Sequence, residues 1–425
     1  MKIAILNKSD STGGAAVVSR RLMEALRKEG VDTRMVVTEK LSDSPYVSLA
    51  ASNFSIKKAF FTERLKIFAV NGFDRKTLFK IDTGEEGLPL WKNKFIKEAD
   101  AILINWVNQG MLSLKGVRKI LAIGKPVIIT MHDMWWMTGI CHHAGECQHY
   151  KYECGDCPLL KNGGSPHDLS YKIHKKKKDI YSDKDITRKM AFVAVSTWLE
   201  NKSLESSLLK NCRTKVIPNA FSFIKDSYIP LKRDKIRILF GAARLDDPIK
   251  GLDTLKTTSE ILKNKYPDIS SKMEIAVFGK AKNPGSLDGF SLPLVNLGLL
   301  RGEKELARIY CEADILVSSS SYETLPGTLV EAQAYGCIPV CFDRGGQGDI
   351  IQHEDTGFMV KYDDNLNIRA CNLAEGIIQA VKVIENPACL EEFKIKMKES
   401  VTRKFSYSSI ASRYIDLIDK LGAET

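Results

Sequence analysis

Residues 318–336 read SSSSYETLPGTLVEAQAYG. Asp314-Ile315-Leu316-Val317-Ser318 leads in as a β-like run, and Thr328 to Tyr335 is helix-compatible with Gly336 as its stop. A strand that turns straight into a helix aims unpaired N–H groups and the positive end of the helix dipole at one mouth. Two carboxylates frame that mouth. Glu323 lies in the turn, and Glu331 lies about one turn into the helix, roughly 6 Å along its axis. A bare phosphate would be repelled by them. A sugar nucleotide would not: its hydroxyls can donate to both carboxylates while its diphosphate sits at the helix end. The competing reading is a surface helix with two solvated acids.

The chain has 425 residues, enough for two or three domains, and 44% of them are hydrophobic, an ordinary soluble proportion. Ile3-Ala4-Ile5-Leu6 is too short for a secretory h-region, and no run approaches a membrane span. We therefore expect a cytoplasmic protein, whose ten cysteines are reduced thiols or metal ligands rather than a disulfide framework. The net charge of +11 is uneven: residues 1–220 hold 36 Lys+Arg and 23 Asp+Glu (+13), and the remainder hold 27 and 29 (−2). The first half therefore faces something anionic: a phosphate-bearing acceptor, a membrane surface or nucleic acid.

Met1-Lys2-Ile3-Ala4-Ile5-Leu6 reads as a buried parallel strand, followed by a loop ending in Gly13-Gly14 and a helix stopped by Gly30. With the strand Thr33-Arg34-Met35-Val36-Val37 this is a βαβ opening without the G-x-G-x-x-G of a nicotinamide site. The paired glycines either admit a ligand to the backbone or make a tight turn. Residues 54–70, FSIKKAFFTERLKIFAV, place Phe61, Leu65 and Phe68 on one face among Lys57, Lys58, Arg64 and Lys66. That stripe packs on the core or lies on anionic lipid. The run His174-Lys175-Lys176-Lys177-Lys178 is a solvated face or a second anionic contact.

His132 follows the strand Pro126-Val127-Ile128-Ile129-Thr130-Met131, at the carboxyl end where open α/β sheets place ligands; a purely structural histidine is the alternative. Cys141, Cys147, Cys154 and Cys157 follow with the spacing C-x5-C-x6-C-x2-C. The C-x2-C half suits tetrahedral zinc, and the rest is irregular. Both a structural zinc and unliganded thiols remain open, with His142, His143 and His149 as substitute ligands. Later, Arg244 and Lys250 stand between the strand Ile236-Arg237-Ile238-Leu239-Phe240 and a helix, where they can meet a diphosphate. Asp183-Lys184-Asp185 is an Asp-x-Asp of chance frequency and is given no metal role.

The string YETLPGTLVEAQAYGCIPV, with Glu-x7-Glu, resembles the signature of the family 4 retaining glycosyltransferases of GT-B fold. The Cys-rich segment 141–157 resembles an insert in a surface-polysaccharide branch. The resemblance implies two Rossmann-like domains facing across a cleft: an acceptor domain, 1–218, and a nucleotide-sugar domain, 219–400, with 219–234 as linker. A terminal helix, 401–425, is implied to return to the first domain.

It also implies site residues. Glu323, His132, Arg244 and Lys250 would be catalytic. Glu331, Arg244, Lys250, Thr324, Leu325, Pro326, Gly327 and Gly298 would bind the donor, with Gly345-Gly346 bordering its sugar. Gly13 and Gly14 would bind the acceptor. Asn105 stands where the resemblance implies histidine, so it is assigned no contact. The expected reaction is metal-independent, retaining hexosyl transfer by front-face attack from a nucleotide-diphosphate sugar to a lipid-linked saccharide. This would build a polysaccharide such as a capsule at the inner face of the cytoplasmic membrane. No nucleic-acid partner and no catalytic cofactor are expected. The alternatives are a GT-B sugar-nucleotide epimerase or hydrolase, and a zinc-dependent nucleic-acid-binding protein.

Overall fold

The computed structural model describes residues 1–223, 234–300 and 302–424. It divides into two compact units, Met1–Ala220 with Tyr407–Thr425, and Phe221–Ser406. The first crossover lies within two residues of the expected boundary; most of the expected linker, 224–233, lies outside the described residues. The second falls at 406 rather than 400. Helix Pro387–Phe405 stays with the second unit, burying Met397, Val401 and Phe405, and Ser406 then turns extended (φ −63°, ψ 155°). The terminal helix expected over 401–425 thus begins only at Tyr407 and runs to Gly422.

The first unit is one parallel sheet of strands β1 (Lys2–Ser9), β2 (Asp32–Glu39), β3 (Val47–Leu49), β4 (Ala101–Ile104), β5 (Val127–Met131), β6 (Met190–Ala194) and β7 (Thr214–Val216). Their order is β3-β2-β1-β4-β5-β6-β7. Both faces are covered, so the strands are apolar runs rather than alternating ones: β4 and β5 are buried throughout. Leu22, Met23 and Leu26 of helix Gly14–Lys28 and Ile410, Tyr414 and Ile418 of helix Tyr407–Gly422 join Ile3, Ile5, Leu103 and Ile128 in one core. The chain runs outward from β1 to β3 and returns to place β4 on β1's other side. The carboxyl ends of β1 and β4 therefore flank a topological switch, where such sheets leave a crevice.

The second unit repeats this logic with β8 (Ile236–Arg244), β9 (Met273–Lys280), β10 (Leu294–Gly298), β11 (Ile315–Ser318), β12 (Ile338–Phe342) and β13 (Phe358–Val360). The order is β10-β9-β8-β11-β12-β13, all parallel, so its switch lies between β8 and β11. Ile238, Phe240, Ile275, Ile315 and Val340 pack with Leu255 and Leu262 of helix Leu252–Lys265 and Leu373 and Ile377 of helix Leu366–Ile384.

Helix Asn53–Val70 is inverted relative to ordinary amphipathic packing. Phe54, Phe61 and Leu65 are 77%, 64% and 64% exposed, while Glu63 and Arg64 are buried. Core packing of that stripe is thereby excluded for Phe61 and Leu65. The expectation that Arg64 adds to a basic surface is corrected: its guanidinium ion-pairs with buried Asp82 and also donates to the Leu78 carbonyl. Glu63 is held by the Thr83 amide and hydroxyl at 2.8 and 2.6 Å. In the basic run 174–178, Lys175, Lys176 and Lys178 are exposed as a solvated face requires, but two members turn inward. His174 and Lys177 are 1% and 0% exposed, and Lys177 Nζ donates to the Trp135 and Thr138 carbonyls at 2.5 and 3.1 Å.

Candidate functional sites, one in each unit

At the switch of the second unit, β8 and β11 deliver two loops to the same place. Arg244 ends β8, and Lys250 follows on the short turn Pro248–Lys250. Gly251 (φ 69°) lets the turn close against β11's exit, because a Cβ there would stand 2.1 Å from the Ser319 carbonyl oxygen. Ser319 Oγ donates to the Lys250 and Gly251 carbonyls at 2.9 and 2.8 Å, and the Ser321 amide donates to the Ile249 carbonyl. The serine run thus sews the two loops together.

Glu323 sits on this seam. Its carboxylate pairs with the Lys250 ammonium and accepts from Ser320 Oγ at 3.0 Å. Its carbonyl accepts from the Gly346 amide at 2.9 Å, and a Cβ at Gly345 (φ 72°) would stand 2.3 Å from that oxygen. Gly345-Gly346 therefore hold the Glu323 turn, a part the sequence did not assign them. Pro326 precedes helix Gly327–Ala334, whose N-terminus has no side-chain cap. Gly336 (φ 79°) closes its far end. Glu331 accepts from Tyr310 OH at 3.2 Å.

The remaining expected donor residues are placed unevenly. Arg244 pairs with Asp246 and Asp247, both at 3.4 Å, within its own loop. Thr324 lies in the turn, and the Leu325 side chain is buried. Gly298 (φ 70°) ends β10, two strands from the switch.

At the switch of the first unit lies a cavity of about 610 Å³ lined by Asn7, Lys8, Thr38, Phe60, Trp106 and Gln109, among others. Thr12, Ala15 and Ala16 border it, so the Gly13-Gly14 loop forms its rim. Gly13 (φ 88°) has open space where a Cβ would point. Burial lowers the pKa of Lys8, whose Nζ donates to the Gln109 carbonyl and lies 5.2 Å from the Phe60 ring.

His132 follows β5, and its Nε2 is 3.1 Å from Asn105 Oδ1. Burial pushes its pKa down to about 4, so the imidazole is neutral at neutral pH. With Asn105 accepting, Nε2 carries the proton. Asn105, given no contact from sequence, orients this histidine.

Next to it is a buried charge network that the sequence did not reveal. His142 Nδ1 meets Asp133 at 2.7 Å and Nε2 meets Asp82 at 2.9 Å. Burial alone would lower the His142 pKa, but the two carboxylates raise it to about 10. Burial would likewise raise Asp133, which the imidazolium holds at about 2. His142 is therefore committed to carboxylates rather than to metal. His149 Nδ1 is 2.8 Å from the Gly155 carbonyl.

Cys141, Cys147, Cys154 and Cys157 line one narrow cavity with His149. Burial pushes the Cys141 and Cys154 thiols up to about 12. In kind these donors suit zinc. As they stand, among the described residues no group of three or more His, Cys, Asp or Glu is placed to hold a metal ion, so zinc would have to draw the sulfurs together.

Residues 236–382, within the second unit, match the family model described as glycosyl transferases group 1. A 41.2 kDa protein in the cps region of Klebsiella pneumoniae is 23% identical over 280 residues, 60% of this chain and 69% of that protein. The putative colanic acid biosynthesis glycosyl transferase WcaC of Escherichia coli K12 is 22% identical over 264 residues, 60% of each. Among solved structures, Anabaena HepE in complex with UDP and glucose aligns over 99% of this chain and 100% of its own, with TM-score 0.56 and 14% identity. The fold is GT-B, built of two Rossmann-like parallel-sheet domains.

Proposed function

We propose that this glycosyltransferase moves a hexosyl group, with retention, from a nucleotide-diphosphate sugar to a lipid-linked saccharide in surface-polysaccharide synthesis. The observation that carries the proposal is the Lys250–Glu323 pair at the β8/β11 switch, beside an uncapped helix N-terminus. Diphosphate at the helix end shares the Lys250 ammonium with Glu323, and Glu323 then accepts a donor-sugar hydroxyl. Arg244 turns from Asp246 and Asp247 to the second phosphate. Two cations and a helix dipole oppose the charge that builds on the leaving diphosphate, the work a divalent metal does elsewhere. In front-face attack the acceptor hydroxyl forms the new bond to the anomeric carbon on the departing side. Its proton passes to the leaving phosphate oxygen. Glu331 is assigned to the ribose. Neutral His132, its Nε2 proton on Asn105, accepts a hydroxyl of the transferred sugar at Nδ1, and the Gly13-Gly14 rim receives the acceptor.

The proposal places the enzyme at the inner face of the cytoplasmic membrane. Its support is the exposed stripe Phe54, Phe61 and Leu65 with Lys57 and Lys58, which suits an anionic lipid surface. No described helix is long and apolar enough to cross a membrane. One structural zinc is assigned to Cys141, Cys147, Cys154 and Cys157; the shared cavity supports it, and binding requires the sulfurs to draw together.

The test offers UDP-, GDP- and ADP-sugars with a bacterial lipid extract as acceptor and measures nucleoside diphosphate release, with EDTA present and absent. Release that depends on both the extract and Glu323, and ignores EDTA, is expected. Equal release without acceptor would make the protein a sugar-nucleotide hydrolase. Loss of turnover in EDTA, restored by Mg²⁺, would end the metal-independent scheme.

A further inference from the structure

Trp106 follows β4 at the first switch and forms part of the 610 Å³ cavity wall. It is fixed at three points. Its indole N–H donates to Asp133 Oδ2 at 2.9 Å, its amide donates to Asn7 Oδ1 at 3.0 Å, and its carbonyl accepts from the Lys8 amide at 2.7 Å. Its ring also lies 5.6 Å, centroid to centroid, from the His142 imidazolium. Such a cation against an indole is attractive and holds the ring in place.

The anchor beneath it is long. Asp133 Oδ2 serves both Trp106 and His142, while Oδ1 accepts from the Trp135 amide at 2.8 Å. His142 reaches on to Asp82, which pairs with Arg64 and accepts from the Gln109 amide at 3.0 Å. Arg64, Asp82, His142 and Asp133 are buried and sum to zero charge. Breaking one member of such a set leaves an uncompensated buried charge, so its geometry is stiff. Gln109 closes the loop back to the cavity, with its carbonyl on Lys8 and its backbone at φ 56°. A core does not need a charge chain that ends on one indole at a cavity wall. A binding surface that must not move does.

Resting on the glycosyltransferase reading, we propose that Trp106 is the stacking platform for the acceptor's terminal pyranose ring, held by the Asp133–His142–Asp82–Arg64 chain. The apolar C–H face of a sugar stacks on the indole, and its hydroxyls reach Lys8, Glu39 and Thr38 around the same cavity. Trp106 is thus the residue that selects a saccharide, and His142 is a positioning residue that acts through Asp133.

The test is saturation-transfer NMR with methyl glycosides of glucose, galactose and mannose on the full chain, run with thermal unfolding against UDP, GDP and ADP. At least one glycoside should bind wild type. Trp106→Ala should weaken it on the order of tenfold, Trp106→Phe should restore most of the affinity, and the nucleotide shift should be unchanged in both. His142→Gln should weaken the glycoside without altering the nucleotide shift. If Trp106→Ala does not fold, Lys8→Gln, which leaves the Asp133–His142–Asp82–Arg64 chain intact, should weaken the same glycoside. Nucleotide stabilisation with no glycoside binding, or binding indifferent to Trp106 and Lys8, overturns this inference alone. Binding of decyl phosphate in place of every glycoside makes the cavity a lipid-chain site and also overturns it. Absence of any nucleotide shift overturns the underlying glycosyltransferase reading.

Discussion

At the scale of single residues, the proposal rests the donor chemistry on Lys250 and Glu323, which pair in the structure. Lys250→Ala removes a diphosphate contact worth about 2–4 kcal/mol in the transition state, so turnover should fall roughly 30- to 1000-fold in a kinetic assay with the fold intact. Wild-type turnover from either Lys250→Ala or Glu323→Gln would remove them from the site. His132 makes a separate prediction through pH. Its folded pKa, about 4, lies below the usual histidine value of 6.5, so below 6.5 the unfolded chain binds a proton that the folded protein resists. This group's stability term is complete above pH 6.5 and is lost as pH falls towards 4, by at most about 3 kcal/mol. His132→Gln should flatten that acid limb in denaturant titrations; an unchanged limb would contradict the neutral histidine. The position of His132 was legible because it follows the apolar strand Val127–Met131 directly, whereas Lys250 and Glu323 lie further out, in the loops after Arg244 and Ser318. Trp106 gave the same signal after Ala101–Ile104 and was overlooked. Asp82 and Asp133 meet only across 51 residues of chain, through His142, and no spacing rule encodes such a meeting.

At the scale of elements, the helix Asn53–Val70 shows where periodicity misleads. Its apolar positions marked one face correctly, but that face points to solvent because Glu63 and Arg64 have buried partners in residues 78–86. Partners so distant in sequence invert the usual rule that the apolar stripe is the core stripe. Phe61→Ser and Leu65→Ser should therefore leave thermal stability nearly unchanged while reducing sedimentation with anionic vesicles. Lys57→Gln with Lys58→Gln should reduce it further, most at low salt. A large loss of stability in the serine variants would mean the stripe packs inward. The Cys-rich segment was legible as a cluster of thiols in one place, not as a metal geometry. Elemental analysis should find about one zinc per chain in protein purified without a metal-affinity tag, and a content near zero would refute that assignment.

At the scale of the whole molecule, two parallel sheets with one switch each explain why the sites lie where they do. The chain leaves the first unit at Ala220 and returns at Tyr407, and helix Tyr407–Gly422 buries Ile410, Tyr414, Leu417 and Leu421 in the first unit's core. This division was legible from the resemblance and the strand runs, whereas the break at Ser406 was not, since Lys404-Phe405-Ser406-Tyr407 carries no glycine or proline to mark it. The central claim is that the second unit binds the diphosphate of a sugar nucleotide through Lys250. Thermal unfolding of the full chain against UDP, GDP and ADP tests it most directly. At a hundred times its dissociation constant, one nucleotide should raise the midpoint roughly 5–10 °C in wild type and far less in Lys250→Ala. No shift with any of the three, or an equal shift in the variant, would contradict the account.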